Sequence, residues 1–387
     1  MTTPGIPGTP GTPGGPSTPA TPSTPAAPSA LARAEALYEA GRYEQAGTLA
    51  ARHLADDPED ADALTLLARC RHRAGDHPTA LVAVEQALRA EPELVMAHLM
   101  RTQVLLALKR YAEAEAAARR TVELAPDFWG SHYALGTALA ESAEAGGGRD
   151  RARRAAAYEA ARTAVALGPE EDAAHFLVGL TAQRRGDHAT ARQAYETTLR
   201  LNPQSSEAHN NLSLLRLRRR WFRRGAWTQA AEGFVASAAL DLDDRKARYN
   251  LEAMAWGTAA GARWVALLGF LAVTLGAAPV RTGATGADAV VPFVIGAGVL
   301  VGAWGGWAVW MARRVPRRLR RPLLLVARTC RPVLAMAAAV GLLGLYSAVT
   351  LALWTYDTGF LGITLFWAVV ITYWVSRSAL NRRMPKD

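Results

Sequence analysis

This sequence is poor in the residue types that most enzymes use for catalysis and metal binding. Its 387 residues include two cysteines and eight histidines, and lysine supplies three of the 44 basic residues. Cys70 and Cys330 are too far apart in sequence to suggest a metal or redox motif. No Gly-Lys-Ser/Thr phosphate loop, HExxH motif or paired CxxC motif occurs. We therefore expect a chain that is not an enzyme, with no cofactor and no metal.

Acidic residues become scarce towards the C-terminus. Residues 1–262 hold 30 Lys+Arg and 31 Asp+Glu, whereas residues 263–387 hold 14 and 3, so the formal net charge of +10 comes from the last third. That third is also the most apolar part of the chain. Basic residues between apolar stretches indicate membrane topology, so we expect no nucleic-acid partner.

Proline and alanine recur with a period of 34 in the first two-thirds of the chain. The prolines lie at spacings of 34, 34, 43 and 34, at positions Pro58, Pro92, Pro126, Pro169 and Pro203. An alanine precedes each of them by twelve residues, at Ala46, Ala80, Ala114, Ala157 and Ala191. A fixed period of this length with helix-forming composition predicts a stacked array of helical hairpins.

The residues inside these blocks resemble the tetratricopeptide repeat family. One block opens with His132-x-x-Leu135-Gly136 and the next with His175-x-x-Val178-Gly179. Six blocks in register cover residues 29–244, the fourth carrying nine extra residues around Gly146–Gly148. The resemblance implies an all-α helical-hairpin solenoid that binds a protein partner.

Histidines occupy the fourth position of four successive blocks, at His98, His132, His175 and His209. Equivalent positions of neighbouring hairpins are separated by about two helix spacings of ~8–10 Å each. Zinc ligands lie ~2.1 Å from one ion, so the four histidines cannot share a site. We interpret them as packing residues.

The resemblance also implies a binding groove, because the first helix of each hairpin lines the concave face in this family. The predicted apolar strip is Met96, Leu99, Leu106, Tyr133, Phe176, Leu180, Leu214 and Leu217. Arginines flank it at Arg69, Arg73, Arg184 and Arg218. Such a surface suits a protein partner with apolar anchors and acidic residues, although some of these side chains could instead pack between helices.

A second candidate surface is the basic and aromatic run that inserts into the sixth block. It comprises Arg219, Arg220, Trp221, Phe222, Arg223 and Arg224. Such a run can contact anionic lipid headgroups or grip nucleic acid, or it can form a solvated turn with one ring in the core. We select contact with the membrane surface as the functional hypothesis.

Four apolar stretches near membrane-spanning length follow the repeats: 264–280, 289–312, 333–354 and 360–376. Gly298, Gly302 and Gly306 form a small-residue face suited to close helix packing. The segment between the second and third stretches reads as a loop with eight arginines between residues 313 and 331. The positive-inside rule then places this loop, both termini and the repeats in the cytoplasm. The scarcity of lysine among the basic residues, together with abundant alanine and glycine, suggests a GC-rich bacterial genome, so we expect the membrane to be a bacterial inner membrane.

The complete prediction is an all-α chain of three parts. Residues 1–28, with proline at every third position, form a disordered tail; residues 29–260 form the repeat solenoid with a capping helix; residues 261–387 form a four-helix transmembrane domain. The predicted function is a membrane-anchored scaffold that binds a protein partner in the groove. The alternative is a membrane channel or export component that the repeats regulate.

Overall fold

The computed structural model describes residues 29–147, 150–218, 225–240, 245–283, 285–353 and 359–384. Within these ranges every regular element is an α-helix, and there are seventeen of them. The predicted all-α class is therefore confirmed. The predicted tail, residues 1–28, lies outside the described residues.

The described residues form two compact units, and the division falls between Lys109 and Arg110. The first unit contains five helices, each packed on its neighbours in sequence. They are α1 (Ala30–Glu39), α2 (Tyr43–Asp56), α3 (Ala61–Arg73), α4 (His77–Ala90) and α5 (Val95–Ala107). Alanines Ala34, Ala46 and Ala80 are fully buried, which allows the helices to approach closely.

The second unit begins with seven helices of the same kind, again packed in sequence order. They are α6 (Tyr111–Leu124), α7 (Trp129–Ala145), α8 (Arg151–Leu167), α9 (Asp172–Arg185), α10 (His188–Leu201), α11 (Ser206–Arg218) and α12 (Ala226–Leu240). Gly136 and Gly179 permit close packing here: a Cβ on Gly179 would lie 2.6 Å from the ring of Tyr195.

Side chains fix the helix starts. The carboxylates of Asp60, Asp76 and Asp187 accept hydrogen bonds from backbone N–H groups of the first helical turn, which satisfies donors that have no partner within the helix.

The repeated histidines belong to a second device of this kind. Each places Nε2 2.8–3.0 Å from the carbonyl oxygen of the proline six residues earlier, in the pairs His98–Pro92, His132–Pro126, His175–Pro169 and His209–Pro203. A carbonyl can only accept, so Nε2 carries the proton in this geometry. The histidines thus have a structural role in the turn that precedes each helix.

The remaining helices are long and apolar, apart from one short helix among them. They are α13 (Arg245–Arg281), α14 (Ala287–Arg314), α15 (Arg317–Thr329), α16 (Arg331–Leu353) and α17 (Gly359–Asn381). Four are long and apolar enough to cross a membrane: 245–280, 287–314, 331–352 and 360–381. The predicted capping helix and the first predicted span are one continuous helix of 37 residues, α13.

The arginine-rich segment predicted as a loop is largely an amphipathic helix, α15, so that interpretation was wrong. Leu319, Leu323 and Val326 are spaced by four and three residues and share one helix face. This face packs against buried residues of α12 and α13. The arginines concentrate in the first two turns of the helix.

The predicted glycine face of α14 is not the one that packs within this chain. Nothing lies within 4 Å of a Cβ built on Gly298, Gly302 or Gly306. The close approach of α13 and α14 instead uses Gly276 and Gly296, where a Cβ would lie 2.7 and 2.6 Å from a backbone oxygen of the facing helix. Glycine spacing alone did not identify which face meets the neighbouring helix.

One core joins helix α12 of the last repeat hairpin to helices α13 and α15, and we call it the junction core. Its buried members are Trp227, Ala230, Ala231, Phe234, Leu251, Met254, Val315 and Leu319. Two polar contacts reinforce it: Arg318 of α15 pairs with Glu232 of α12, and the Thr228 hydroxyl donates to the Arg314 carbonyl at 2.8 Å.

Candidate functional site

Four of the predicted groove residues line one pocket in the first unit, which we call the Arg-Met pocket. It has a volume of about 260 Å³ and is lined by Tyr38, Arg69, His72, Arg73, Met96, Leu99, Met100 and Gln103. Helix α1 contributes the tyrosine, α3 the two arginines and the histidine, and α5 the rest. Because Arg69 and Arg73 are four residues apart, they lie one turn apart on the same face of α3.

Aromatic rings hold both guanidinium groups in place. Arg69 lies over the Tyr38 ring with its central carbon 4.1 Å from the ring centroid, and it contacts the Glu39 carboxylate at 3.5 Å. Arg73 donates a hydrogen bond to the Tyr43 hydroxyl at 2.9 Å and lies 5.0 Å from that ring centroid. Within the described part of the first unit, no carboxylate lies within ion-pair distance of Arg73. A ligand carboxylate could supply that charge.

His72 adds a group that can titrate. Its ring centroid is 5.0 Å from that of His77. Burial lowers the pKa of His72 below its ordinary value, and the nearby charges of His77 and Arg73 lower it further. The imidazole is therefore held neutral near pH 7. A bound anion would oppose this effect and favour the protonated ring.

The apolar wall of the pocket comes from α5. Met96 is 47% exposed, and Leu99 beside it is half-buried. Together with the two arginines they make a surface that is apolar on one side and cationic on the other. Leu106 also lies half-buried on α5, but it does not line this pocket.

The sequence argument missed Tyr38, His72, Met100 and Gln103. A signal was present for two of them, because Met100 and Gln103 follow Met96 and Leu99 by four residues and therefore share their helix face. Tyr38 carried no such signal, since it comes from the repeat block with the loosest match.

The groove residues of the second unit are more deeply engaged in packing. Tyr133 is half-buried and packs edge-on to Trp129, at 5.9 Å between centroids. Phe176 packs against the buried Tyr195 at 5.6 Å. Each therefore belongs partly to the core and presents only part of its ring to solvent.

The other predicted residues of the second unit divide in the same way. Leu180 is half-buried on α9, and Arg184 pairs with Glu141 at 2.9 Å. Leu214 and Leu217 pack against the junction core. The Arg218 side chain and the predicted membrane-contact residues 219–224 lie outside the described residues.

The described residues hold no group of three or more His, Cys, Asp or Glu side chains placed to bind a metal ion. Both cysteines are buried, and burial raises the pKa of the Cys70 thiol. A protonated, buried thiol is a poor nucleophile. The Arg-Met pocket can bind a ligand by charge and apolar contact, and its lining residues form no nucleophile–base pair.

Family models match two parts of the chain. The model described as anaphase-promoting complex, cyclosome, subunit 3 matches residues 39–121. The tetratricopeptide repeat model matches residues 137–206 and 179–247. No curated protein matches the chain significantly.

Several solved structures are similar to part of the chain. PilF from Pseudomonas aeruginosa is 18% identical, with a TM-score of 0.44, and the match covers 56% of this chain and 93% of PilF. MamA from Desulfovibrio magneticus is 24% identical, with a TM-score of 0.36, and the match covers 45% and 93%. YrrB, described as a tetratricopeptide protein with an unusual peptide-binding site, is 17% identical, with a TM-score of 0.35 and coverage of 51% and 95%. The family matches and the helical hairpins together establish that this chain contains tetratricopeptide repeats.

Proposed function

We propose that this chain is a membrane-anchored scaffold whose repeats bind a protein partner and which performs no reaction itself. The observation that carries the proposal is the Arg-Met pocket, where Arg69, Arg73, Met96 and Leu99 line one space. Its partner would present an acidic residue to the arginines and an apolar side chain to α5. Arginine and exposed apolar side chains are common anchors in protein interfaces.

The groove residues of the second unit form a separate candidate surface. Tyr133, Phe176 and Leu180 are half-buried, so a partner could contact them without unfolding the hairpins. Leu214 and Leu217 are weaker candidates, because they already pack against the junction core.

A peptide-binding experiment on the full chain in detergent tests the pocket. An array of short peptides that pair Asp or Glu with Leu, Met or Phe would identify a ligand, and its affinity would be measured by fluorescence polarisation. Arg73→Gln should weaken binding about tenfold, the order expected for loss of one charge-assisted hydrogen bond. Arg71→Gln is the matched control, because Arg71 is an exposed arginine of α3 that does not line the pocket. Equal affinity in the two variants would rule out the pocket.

The membrane part of the proposal rests on where charged and aromatic side chains lie in the second unit. The central carbon of Arg263 lies 4.8 Å from the Trp264 ring and 3.9 Å from the Tyr373 ring. Arginine beside tryptophan and tyrosine is typical of a membrane interface. Arg383 contacts Glu252 of α13 at 3.4 Å, and Glu252 lies between the junction-core residues Leu251 and Met254 in the sequence of α13. We propose four spans with the repeats, α15 and the C-terminus on the cytoplasmic side of a bacterial inner membrane.

Cysteine labelling of intact cells tests this orientation. Cys70 and Cys330 are buried and would be replaced by serine to remove background. A cysteine at Thr285, in the predicted outer loop, should react with an impermeant thiol reagent. A cysteine at Arg321 should react only after the membrane is opened. Arg321 is the right inner position because it is exposed, whereas Leu319 is buried and would resist labelling on either side. Labelling of Arg321→Cys from outside would refute the orientation.

The channel or export alternative would need polar side chains facing a path through the spans. The buried hydroxyls of Ser347 and Ser376 instead donate to carbonyl groups of their own helices, at 2.9 and 3.2 Å. This arrangement favours an anchor.

A further inference from the structure

A cavity of about 570 Å³ lies between α13, α14, α15 and α16, beside Trp227 of α12. We propose that it binds one anionic phospholipid, with an acyl chain inside the cavity and the phosphate at Arg320. The proposal rests on the membrane placement argued above. It goes beyond partner binding by the repeats, because it assigns a ligand to the membrane domain.

The cavity exists because the facing helices present small side chains. Seven of its sixteen lining residues are alanine, contributed by α13, α14, α15 and α16. Protein interiors are normally close-packed, and a space of this size falls within the range of about 300–1,000 Å³ that is typical of ligand sites. Alanine on four helices therefore leaves room for an elongated apolar group.

The lining is apolar except at one end. Thr258 contributes a hydroxyl group to the lining, and this hydroxyl already donates to the Ala255 carbonyl of the same helix at 2.7 Å. Arg320 is the single charged residue among those that line the cavity. A ligand must therefore be apolar over most of its length and carry its polar group near Arg320.

The charge at this end is positive. The Nε of Arg320 donates to the Val315 carbonyl at 3.3 Å, which holds the guanidinium beside the start of α15. Arg317 and Arg321 lie within the same two turns and are also exposed. Arg318 differs, since it pairs with Glu232. Within the described ranges no carboxylate lies within ion-pair distance of Arg320, so an anionic phosphate would complement this end.

The position of the cavity suits a lipid better than a soluble ligand. Ala308 of α14 and Ala337 of α16 line it, each six residues inside the charged end of its helix, roughly 9 Å at the rise of an α-helix. Arg320 lies at that charged end. The cavity thus runs from the basic surface into the predicted spans. Ala308 and Leu324 are exposed, so the cavity opens on the outer face of the helix bundle and a lipid could enter from the side. Basic segments at the cytoplasmic surface attract anionic lipids.

Native mass spectrometry of the detergent-purified full chain tests the proposal. Phosphatidylglycerol and phosphatidylcholine with identical acyl chains would be titrated separately. We expect one saturable phosphatidylglycerol per chain and several-fold weaker retention of phosphatidylcholine. Arg320→Gln should lower phosphatidylglycerol affinity about threefold to tenfold, while Arg328→Gln on the same helix, outside the cavity, should not.

A cavity-filling variant tests the apolar part. Ala308→Trp should abolish saturable retention of both lipids, whereas Val301→Trp should not, because Val301 is 68% exposed on α14 and does not line the cavity. A phosphatidylglycerol with a photoreactive acyl chain guards against misfolding of the variant, since the wild-type chain should then cross-link within α14 and α16 near Ala308 and Ala337.

Three results would overturn the proposal: full retention in Ala308→Trp, equal retention of the two lipids, or cross-links confined to other segments. These failures can be told apart from failure of the proposed function. A chain recovered from the soluble fraction would refute the membrane placement itself. Loss of lipid retention with normal peptide binding in the Arg-Met pocket would refute the lipid site alone.

Discussion

The contact between Gly179 and Tyr195 gives a prediction whose sign opposes helix propensity. Alanine at position 179 would favour helix formation by about 1 kcal/mol. However, its Cβ would lie 2.6 and 2.7 Å from two ring carbons of Tyr195, closer than real Cβ contacts allow. The ring has little freedom to move, since it is fully buried, packs on Phe176 and donates from its hydroxyl to Gln183 at 3.2 Å.

Overpacking of a core typically costs about 1–3 kcal/mol. Because the Tyr195 ring is held rigidly, the cost of overpacking in Gly179→Ala should lie towards the upper end of this range. After the gain of about 1 kcal/mol in helix propensity is subtracted, the net loss of unfolding free energy should be about 1–2 kcal/mol. For a domain of this size the melting temperature should fall by roughly 2–8 °C. The measurement is far-ultraviolet circular dichroism on the full chain in detergent. Hydrogen exchange should accelerate mainly in α9 and α10, because each repeat contacts only its neighbours.

Gly257→Ala is the matched control. Gly257 lies within α13 and nothing is within 4 Å of a Cβ built there, so alanine should stabilise by up to about 1 kcal/mol. Adding Tyr195→Leu to Gly179→Ala should recover part of the loss, which a double-mutant cycle would detect. The reasoning fails if Gly179→Ala is as stable as Gly257→Ala, or if the second substitution gives no coupling.

Three further predictions concern pH, a helix cap and the membrane surface. Burial, His77 and Arg73 lower the pKa of His72, so the unfolded chain binds more protons, and stability of the first unit should fall as pH drops below about 6.5; His72→Gln should flatten that slope in pH-dependent melts. Burial alone would raise the pKa of Asp60, but hydrogen bonds from Ala63 and His53 lower it overall; this support should persist above pH ~4 and be lost in acid, and Asp60→Ala should cost about 1 kcal/mol by denaturant titration. If the sixth-block insertion contacts the membrane, the repeat fragment 29–244 should bind anionic liposomes in a salt-sensitive way, and replacing the insertion's arginines with glutamine should reduce that binding. Unchanged liposome binding by this variant would exclude the contact. These arginines are Arg219, Arg220, Arg223 and Arg224.

Much of the fold follows from periodicity in the sequence. The 34-residue period located the hairpins because close packing of two helices requires alanine at fixed positions, and those alanines are buried. The apolar stretches located the long helices because a span needs about 20 apolar residues. The second, third and fourth predicted spans begin within two residues of the candidate spans of the structure. The first predicted span is the exception, because its helix, α13, already begins at Arg245.

The sequence failed where the decisive neighbour is distant in the chain. Helix α15 was taken for a loop because its arginines dominated the composition, although Leu319, Leu323 and Val326 already had helical spacing. The face of α15 that carries these three residues packs against α12, some ninety residues earlier in the chain. Periodicity cannot reveal such a distant neighbour. The Arg-Met pocket was only partly predicted for a similar reason: Tyr38 comes from another hairpin.

Helix α13 links the repeat hairpins of the second unit to its long apolar helices. Its 37 residues extend roughly 55 Å, whereas the hydrocarbon core of a membrane is about 30 Å thick. In the proposed membrane placement, about half of the helix lies outside the bilayer. The N-terminal half packs in the junction core with Trp227 and Phe234. Glu252, 6% exposed, contacts Arg248 and Arg383 on this half. Because one unbroken helix forms both part of the junction core and the first proposed span, we expect a tilt of the last hairpin to move that span. The proposed lipid cavity adjoins this junction, so lipid binding and the last hairpin should be energetically coupled.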